Sequence, residues 1–459
     1  MNSLVLHFSI FTPIMKKVLI LAYDFPPYVS VGGLRPYSWY KYFNEFGIHP
    51  VVVTRQWGNK YGNHLDYIAP GESDKTIIEE TEYGTVIRTP YKPNLSNRLL
   101  LKYGEGKFRI IRKAITAYYE MMQFLCFVGT KSGLYFGAKE YLKDNDVDLI
   151  IATGAPHILF KYASKLSKKN NPPWIADYRD PWSQSKSRSV NTFLRKWNEF
   201  FEKRYIKSAL RIVAVSDFHS NKISSLILDK NIEIISNGYN PDNKEAIKNL
   251  KQNNEVLKFA FVGTVYPWHP LKVVLSQFND FVLLYNDFSF ELNFYGINKK
   301  KEVQRLINSE FPSLNSLVNI YPKLNNQDLF KILAKHNVML LFNDYCIVGS
   351  KMFDYMALQR KILFCFSEEK GDEYFNFLYQ DEDVNKVNFK VQEEILSLTN
   401  SGTIVKNQKH LLETLISLSE EFRNTGQIKC ETTNTEIYSR KFQVEKLSKI
   451  ILDVCNKNN

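Results

Sequence analysis

Two side chains of opposite charge stand one helical turn apart in the stretch Val348-Gly-Ser-Lys-Met-Phe-Asp-Tyr-Met-Ala-Leu-Gln-Arg-Lys-Ile-Leu363. Lys351 supplies a full cation, and Asp354 places a carboxylate on the same helical face. An apolar run with strand character, Val338–Phe342, comes before them. A polar loop, Asn343-Asp344-Tyr345, follows that run, and the sequence predicts a helix opening near Ser350, just after Gly349. A strand, a glycine-bearing loop and a helix start together form an anion site, because the first N–H groups of a helix have no intrahelical acceptor and carry the positive end of its dipole. That chemistry suits a nucleotide, with its diphosphate at Gly349, Ser350 and Lys351 and its ribose diol at Asp354. A plain structural reading also exists, in which Ser350 caps the helix and Asp354 is a solvated first-turn acid.

Other reactive side chains cluster just after predicted strands. Gly32 and Gly33 follow Pro26-Pro27 at the end of the first strand's loop, where glycine allows a ligand to approach the backbone closely or simply makes a turn. Arg35, in the next helical turn, suits a phosphate or an acceptor, and equally an ordinary surface site. His157 closes Gly154-Ala155-Pro156 and suits contact with a sugar or phosphate. Asp180 lies between Arg179 and Pro181-Trp182; its carboxylate is placed to take a proton from a hydroxyl, or else pairs with Arg179 to hold the loop. Asp177, at the strand end, is the weaker choice of base. Gly263-Thr264 opens the corresponding loop in the second half, and Lys272 is the first cation after it.

The elements that must position these groups alternate. Strand-like runs at Val18–Ala22, Pro50–Thr54, Thr85–Thr89 (an edge strand), Asp148–Thr153, Trp174–Asp177 and Arg211–Val215 are separated by helical patterns such as Leu34–Phe46. After a polar, Asn- and Lys-rich stretch the pattern resumes at Leu257–Val262, Phe288–Tyr295, Val318–Ile320, Val338–Phe342 and Ile362–Phe366. The alternation predicts an α/β chain with two doubly wound, Rossmann-like domains: 15–240, a linker at 241–256, and 257–437. In such sheets ligands sit at the carboxyl ends of strands, where nearly every motif above falls, which implies an active site between the two halves. The closing segment, 438–459, has Phe442, Val444, Leu447, Ile450, Ile451 and Val454 at helical spacing and predicts a helix, read either as returning to the first domain or as an ordinary packing helix.

The Lys351 stretch resembles the glycosyltransferase family 4 type of the GT-B superfamily, in which Lys-(Leu/Met)-Phe-Glu-Tyr-Met-Ala-x-Gly-(Lys/Arg)-Pro-Ile-Leu closes over the nucleotide-sugar. Lys351–Ala357 and Arg360–Leu363 match it. The chain departs in three places. The acid is Asp354 rather than Glu, the Gly-Lys/Arg-Pro turn reads Gln359-Arg360-Lys361, and Cys346 stands where many members carry another Glu. Further matches run in order: Lys17–Pro27 with Gly32-Gly33-Leu34-Arg35, Asp148–His157, Arg211–Ser216, Ile235–Asn240 and Phe259–Thr264. Trp174–Trp182 is similar to an Asp-(Phe/Tyr)-Arg-Asp-Pro-Trp signature of members that build bacterial surface polysaccharides.

The resemblance implies a GT-B fold and transfer of a sugar from a nucleotide diphosphate sugar, UDP foremost, to a glycan or polyprenyl-linked glycan. It implies retention at the anomeric carbon, no metal and no other cofactor, and domains that close over the donor. In these roles Gly32, Gly33, Gly263, Thr264, Lys272, Gly349, Ser350, Lys351 and Asp354 hold the donor, Arg35 and Arg179 face the acceptor, and His157 and Asp180 sit at the reaction centre. Two rivals predict different behaviour. A nucleotide-sugar 2-epimerase turns over its substrate without an acceptor, and a non-catalytic membrane- or glycan-binding relative binds no nucleotide.

Composition narrows the setting. With 459 residues, 44% of them hydrophobic and 24% charged, the chain reads as an ordinary two-domain globular protein. Five scattered cysteines with no Cys-x-x-Cys argue against a disulfide framework or zinc site and fit a reducing cytoplasm. No apolar run is long enough to span a membrane. Met15-Lys16-Lys17 leads straight into the first strand, so residues 1–14 are read as an extension ahead of the natural start. A net charge of +12 implies an acidic partner. Scattered lysines give nucleic acid little support, but 99–141 interleaves Lys102, Lys107, Arg109, Arg112, Lys113 and Lys131 with many aromatics. That segment suits peripheral contact with an anionic membrane on its inner face, or aromatics packed in a core beneath a solvated basic surface. Asp144-Asn145-Asp146 and Asp381-Glu382-Asp383 read as acidic turns rather than metal sites, because neither follows an apolar strand.

Overall fold

A computed structural model describes residues 15–57, 65–170, 172–184, 192–367 and 387–457; the extension at 1–14 and the acidic turn at 381–383 lie outside them. Contacts divide the chain into two compact units, residues 1–235 with 444–459, and residues 236–443.

In the first unit, β1 (Lys16–Leu21), β2 (Ile48–Arg55), β3 (Ile77–Thr81), β4 (Gly84–Thr89), β5 (Leu149–Gly154), β6 (Trp174–Tyr178), β7 (Arg211–Ala214) and β8 (Ile232–Ile234) form one sheet in the order β3-β4-β2-β1-β5-β6-β7-β8. Only β3 runs antiparallel, against β4. The strand at 84–89 is therefore one place in from the edge; β3, whose Glu79 and Glu80 break any apolar run, is the edge strand. β1, β2 and β5 are apolar on both faces because helices cover both sides of a parallel sheet, and alternate residues of β1 fall into separate cores: Leu19 and Leu21 into one, Val18 and Ile20 into the other. Val444, Leu447, Ile451 and Val454 of the closing helix, Arg440–Lys457, complete the second of these cores.

In the second unit, β9 (Leu257–Val262), β10 (Phe290–Tyr295), β11 (Val318–Tyr321), β12 (Val338–Phe342), β13 (Lys361–Cys365) and β14 (Gly402–Val405) form a wholly parallel sheet in the order β11-β10-β9-β12-β13-β14. The segment 241–256, read from sequence as a linker, belongs to this unit: Pro241–Ala246 is a helix with Asn240 as its cap, and Ile247 is buried. β9 and β12 are neighbours although 75 residues separate Val262 from Val338. That adjacency brings the loops after these two strands together.

Candidate functional site

In the second unit those loops, 263–270 and 343–349, are tied by a carboxylate. Asp344 Oδ1 accepts from His269 Nε2 at 2.8 Å and from Trp268 Nε1 at 3.1 Å. The Tyr266 N–H donates to His269 Nδ1 at 3.2 Å, so Nδ1 is the acceptor and Nε2 carries the ring proton toward Asp344. Burial holds the His269 pKa below its usual value despite the pull of Asp344, and the ring is neutral at pH 7.

Beside this tie the helix Ser350–Leu358 begins. Its N-cap is Gly349, in extended conformation, with no side-chain cap and no acid in the first turn. Ser350 is thus the first helical residue, not the cap, and a glycine cap supplies no oxygen for the leading N–H groups. The Lys351 ammonium donates to the carbonyl of Thr264 at 2.8 Å and stands 4.5 Å from the centre of the Phe261 ring. Gly263 has φ of +82°, a conformation glycine adopts at little cost, and a Cβ there would lie 3.3 Å from Lys351 Cε. Burial pushes the Lys351 pKa down to about 8, with Asp344 pulling the other way. Tyr355, on the same helix, accepts the Val262 N–H through its hydroxyl at 3.0 Å and so fixes the helix against β9.

Asp354 is partly buried, and burial raises its carboxyl pKa to about 6, opposed by the Arg440 cation. It makes no hydrogen bond or ion pair among the described residues. The site therefore offers an ammonium with free donors, open backbone N–H groups and, one turn on, an unengaged carboxylate. Together these can take a dianion and a vicinal diol.

The first unit assembles a second group, at the ends of β1, β5 and β6. Arg179 donates from Nε to the Gly154 carbonyl at 2.9 Å, from Nη1 to the carbonyl of Gly32 and from Nη2 to that of Ala155. Ser30 caps the helix Val31–Tyr42 by accepting from the Gly32 N–H at 3.1 Å, and its hydroxyl donates to Asp24 Oδ2 at 2.9 Å. Asp24 Oδ1 is buried with no hydrogen-bond partner, and burial, outweighing Arg179, raises the Asp24 pKa. His157 lies flat against Trp182, ring centres 5.3 Å apart and 3° from parallel, with Nε2 3.2 Å from the Asp180 carbonyl. The Asp180 side chain itself is 72% exposed, 4.0 Å from His219 Nε2. His219 is held neutral, its pKa lowered to about 4 by burial against the pull of Asp180.

Residues 125–243 match the family model for Glycosyltransferase Family 4. Among solved structures, an α,α-trehalose-phosphate synthase (UDP-forming) from Burkholderia vietnamiensis superposes with a TM-score of 0.54 at 8% identity, over 96% of this chain and all of that one (100%). A sucrose-phosphate synthase from Thermosynechococcus elongatus gives 0.53 at 12% identity, over 96% and 97%. The catalytic domain of starch synthase IV from Arabidopsis thaliana, bound to ADP and acarbose, gives 0.52 at 12% identity, over 96% and 99%. At these identities the likeness establishes the fold, and the family match covers residues 125–243 of the 459. Residues 125–243 thus resemble Glycosyltransferase Family 4, within the fold that these synthases share. No curated protein matches the chain.

Several positions differ from the sequence expectation. Arg35 is not a surface group: it is 7% exposed and its guanidinium is held by Asp177, at 2.7 Å from Nη2 and 3.0 Å from Nε, and by the Ile235 carbonyl at 2.8 Å. Asp177 also accepts from Thr153 at 2.7 Å, so this pair is an internal brace rather than an acceptor contact or a base. Arg179 is committed to backbone carbonyls and shapes the loops. Lys272 pairs with Glu310 at 2.6 Å, which leaves Lys351 as the cation at the Gly263 loop. Cys346 is buried, so the position resembling the family Glu does not display its side chain. Gly32 and Gly33 lie in the first helical turn. A Cβ at Gly32 would fall 2.6 Å from Asp24 Oδ2, so this glycine serves the close approach of Asp24 and Arg179.

Asp24, His269 and Asp344 are the groups that sequence reading missed. Each follows a predicted strand end, a signal that was present without marking them out from their neighbours.

Proposed function

We propose that the second unit binds a nucleoside diphosphate sugar, with the diphosphate at Lys351 and the Ser350–Leu358 helix start and the ribose at Asp354. The observation that carries this reading is the Lys351 ammonium, desolvated beside an uncapped helix N-terminus and one turn from an unengaged carboxylate. The charge that develops on the departing diphosphate is met by that ammonium and dipole, so the transfer runs without a metal or other cofactor. UDP is the first nucleotide to test; the fold neighbours described as UDP-forming and as bound to ADP support a pyrimidine or adenine diphosphate.

The acceptor is a hydroxyl of a glycan or polyprenyl-linked glycan in surface polysaccharide assembly, at the inner face of the cell membrane. With retention, the C1–O bond to the diphosphate breaks, the acceptor oxygen bonds C1 on the same face, and its proton passes to the departing phosphate oxygen. Asp180, exposed, with its backbone carbonyl against His157 and its carboxylate 4.0 Å from His219, orients the acceptor. Gly32 and Arg179 set the loop around it.

Calorimetric titration with UDP, GDP and ADP beside a Lys351→Ala variant tests the reading. Selective binding of one nucleotide, lost in the variant, supports it and names the donor class for an acceptor screen. A folded protein that binds none of the three refutes it in favour of a non-catalytic binding role.

A further inference from the structure

Within the segment 99–141 the structure separates two environments. Phe124 and Tyr135 belong to the first unit's core, as the packing reading expected. Ahead of them, the helices Leu95–Tyr103 and Arg109–Met122 pair with each other through Ser96 Oγ, 3.1 Å from the Arg112 carbonyl and 3.0 Å from Thr116 Oγ1. The root of this hairpin is fixed. Lys161 donates to the carbonyls of Gln123 and Cys126, both at 2.7 Å, Tyr205 donates to that of Phe124, and the Phe124 ring stacks on Trp182 and Phe201.

Beyond the root no residue of Arg109–Met122 is buried. Ile115, Tyr119 and Met122 are half-covered, while Ile110 is 83% exposed, Ile111 53% and Tyr118 57%, with Phe108 at the tip 45% exposed. At 100° per residue the exposed Ile110, Ile111, Ala114, Ala117 and Tyr118 share one continuous arc beside the half-covered one. The helix is thus apolar over a wider arc than its partner helix covers. Arg109 and Lys113 flank the open arc, and neither they nor Lys107 makes an ion pair among the described residues. Residues 95–122 hold six basic residues and two acidic ones, a net +4 of the chain's +12, and Lys131 pairs with Glu120 at 3.0 Å.

We propose that this hairpin is a docking surface for an anionic lipid bilayer, with the open arc of Arg109–Met122 lying in the headgroup plane. An exposed apolar arc edged by unpaired cations is the pattern of an interfacial helix, and no helix among the described residues is long and apolar enough to span a membrane. A second copy of the chain is the poorer occupant, since self-association through this patch brings the same cations together. The inference deepens the membrane-side acceptor reading, but its test uses neither sugar nor nucleotide.

The full chain is centrifuged with vesicles of phosphatidylglycerol and phosphatidylcholine, and with phosphatidylcholine alone, at low and high salt. Binding to the anionic vesicles only, weakened by salt and reduced about tenfold or more in Ile110→Asp and in Arg109→Glu/Lys113→Glu, is the expected result. Failure of the wild-type protein to sediment with anionic vesicles, or variants that bind like wild type, overturns the proposal. A dimer that Ile110→Asp dissociates, without vesicle binding, assigns the arc to a second copy instead. UDP affinity, measured on the same variants and expected to be unchanged, keeps failure of the hairpin distinct from failure of the donor site.

Discussion

Raising pH through the titration of Lys351 perturbs one group of the proposed donor site while leaving the sequence unchanged. In the ligand-free protein its pKa is about 8. A bound diphosphate places opposite charge against the ammonium and returns its pKa toward the ordinary ~10.4. Only the protonated form presents a cation, so the Lys351 contribution leaves UDP affinity near its maximum at pH 7, halved near pH 8, and about tenfold lower at pH 9 than at pH 7. By the same linkage, binding at pH 8 takes up about half a proton. The window is clean: Asp354, at about 6, is already ionised, His269 is neutral, and a phosphate's second ionisation, near ~6, is complete.

The stability of the free protein moves the opposite way. The folded pKa lies below the unfolded one, so the unfolded chain binds more protons between pH ~8 and ~10.5, and stability rises with pH across that interval by up to about 3 kcal/mol. Lys351→Met should therefore be more stable than wild type at pH 7 while binding UDP worse. Calorimetry at pH 7, 8 and 9, in two buffers of different ionisation enthalpy, reads both affinity and proton uptake. A constant Kd over that range, or proton uptake that persists in Lys351→Met, refutes the assignment of Lys351 to the phosphates.

The remaining expectations concern the groups around it. Gly263→Ala forces a left-handed φ on alanine and crowds Lys351; it should lower stability by about 1–2 kcal/mol and weaken UDP binding, read by thermal melts and calorimetry. Asp354→Asn should cost tenfold or more in UDP affinity if the carboxylate accepts the ribose hydroxyls. Because the folded pKa of Asp354 is raised, free-protein stability falls as pH rises from ~4 to ~6, and this variant should flatten that slope in denaturant titrations. Arg35→Met leaves Asp177 buried without its cation and should cost about 3–5 kcal/mol in urea unfolding, with any loss of activity following the loss of fold.

Local signals in the sequence reached the strand–loop–helix units but not their partners. Val338–Phe342 and the helix after it were legible because a fully apolar strand and a helical motif sit within about 20 residues. The tie between His269 and Asp344 was not, because it depends on β9 lying next to β12, a fact of sheet order that no local pattern encodes. Arg35 was misplaced for the same reason: its partner Asp177 is 142 residues away on β6. Three strands escaped notice on composition alone. β3 is charged, β8 has three residues, and β14 opens with a glycine whose missing side chain admits the Ile362 carbonyl.

Polar satisfaction separates the candidates better than residue type does. Arg35 and Arg179 have their forks filled by Asp177 and by backbone carbonyls of three loops, so a ligand has little left to gain from them. Lys351 gives one of its three donors to Thr264 and keeps the desolvation penalty of its charge; among the described residues Asp354 is engaged by no donor, and Asp24 Oδ1 is buried without one. A buried polar group left unmatched destabilises a folded protein unless a bound molecule completes it. In the second unit an unmatched cation and anion stand one helical turn apart beside an open helix start, and on the proposed reading a diphosphate with its ribose satisfies all three. In the first unit one of the unmatched buried atoms is the Asp24 carboxylate oxygen, among loops braced by Arg179, an arrangement that favours a hydroxyl-bearing ligand over an anionic one. The proposed donor role of the second unit thus rests on the polar groups that its helix start leaves unpaired.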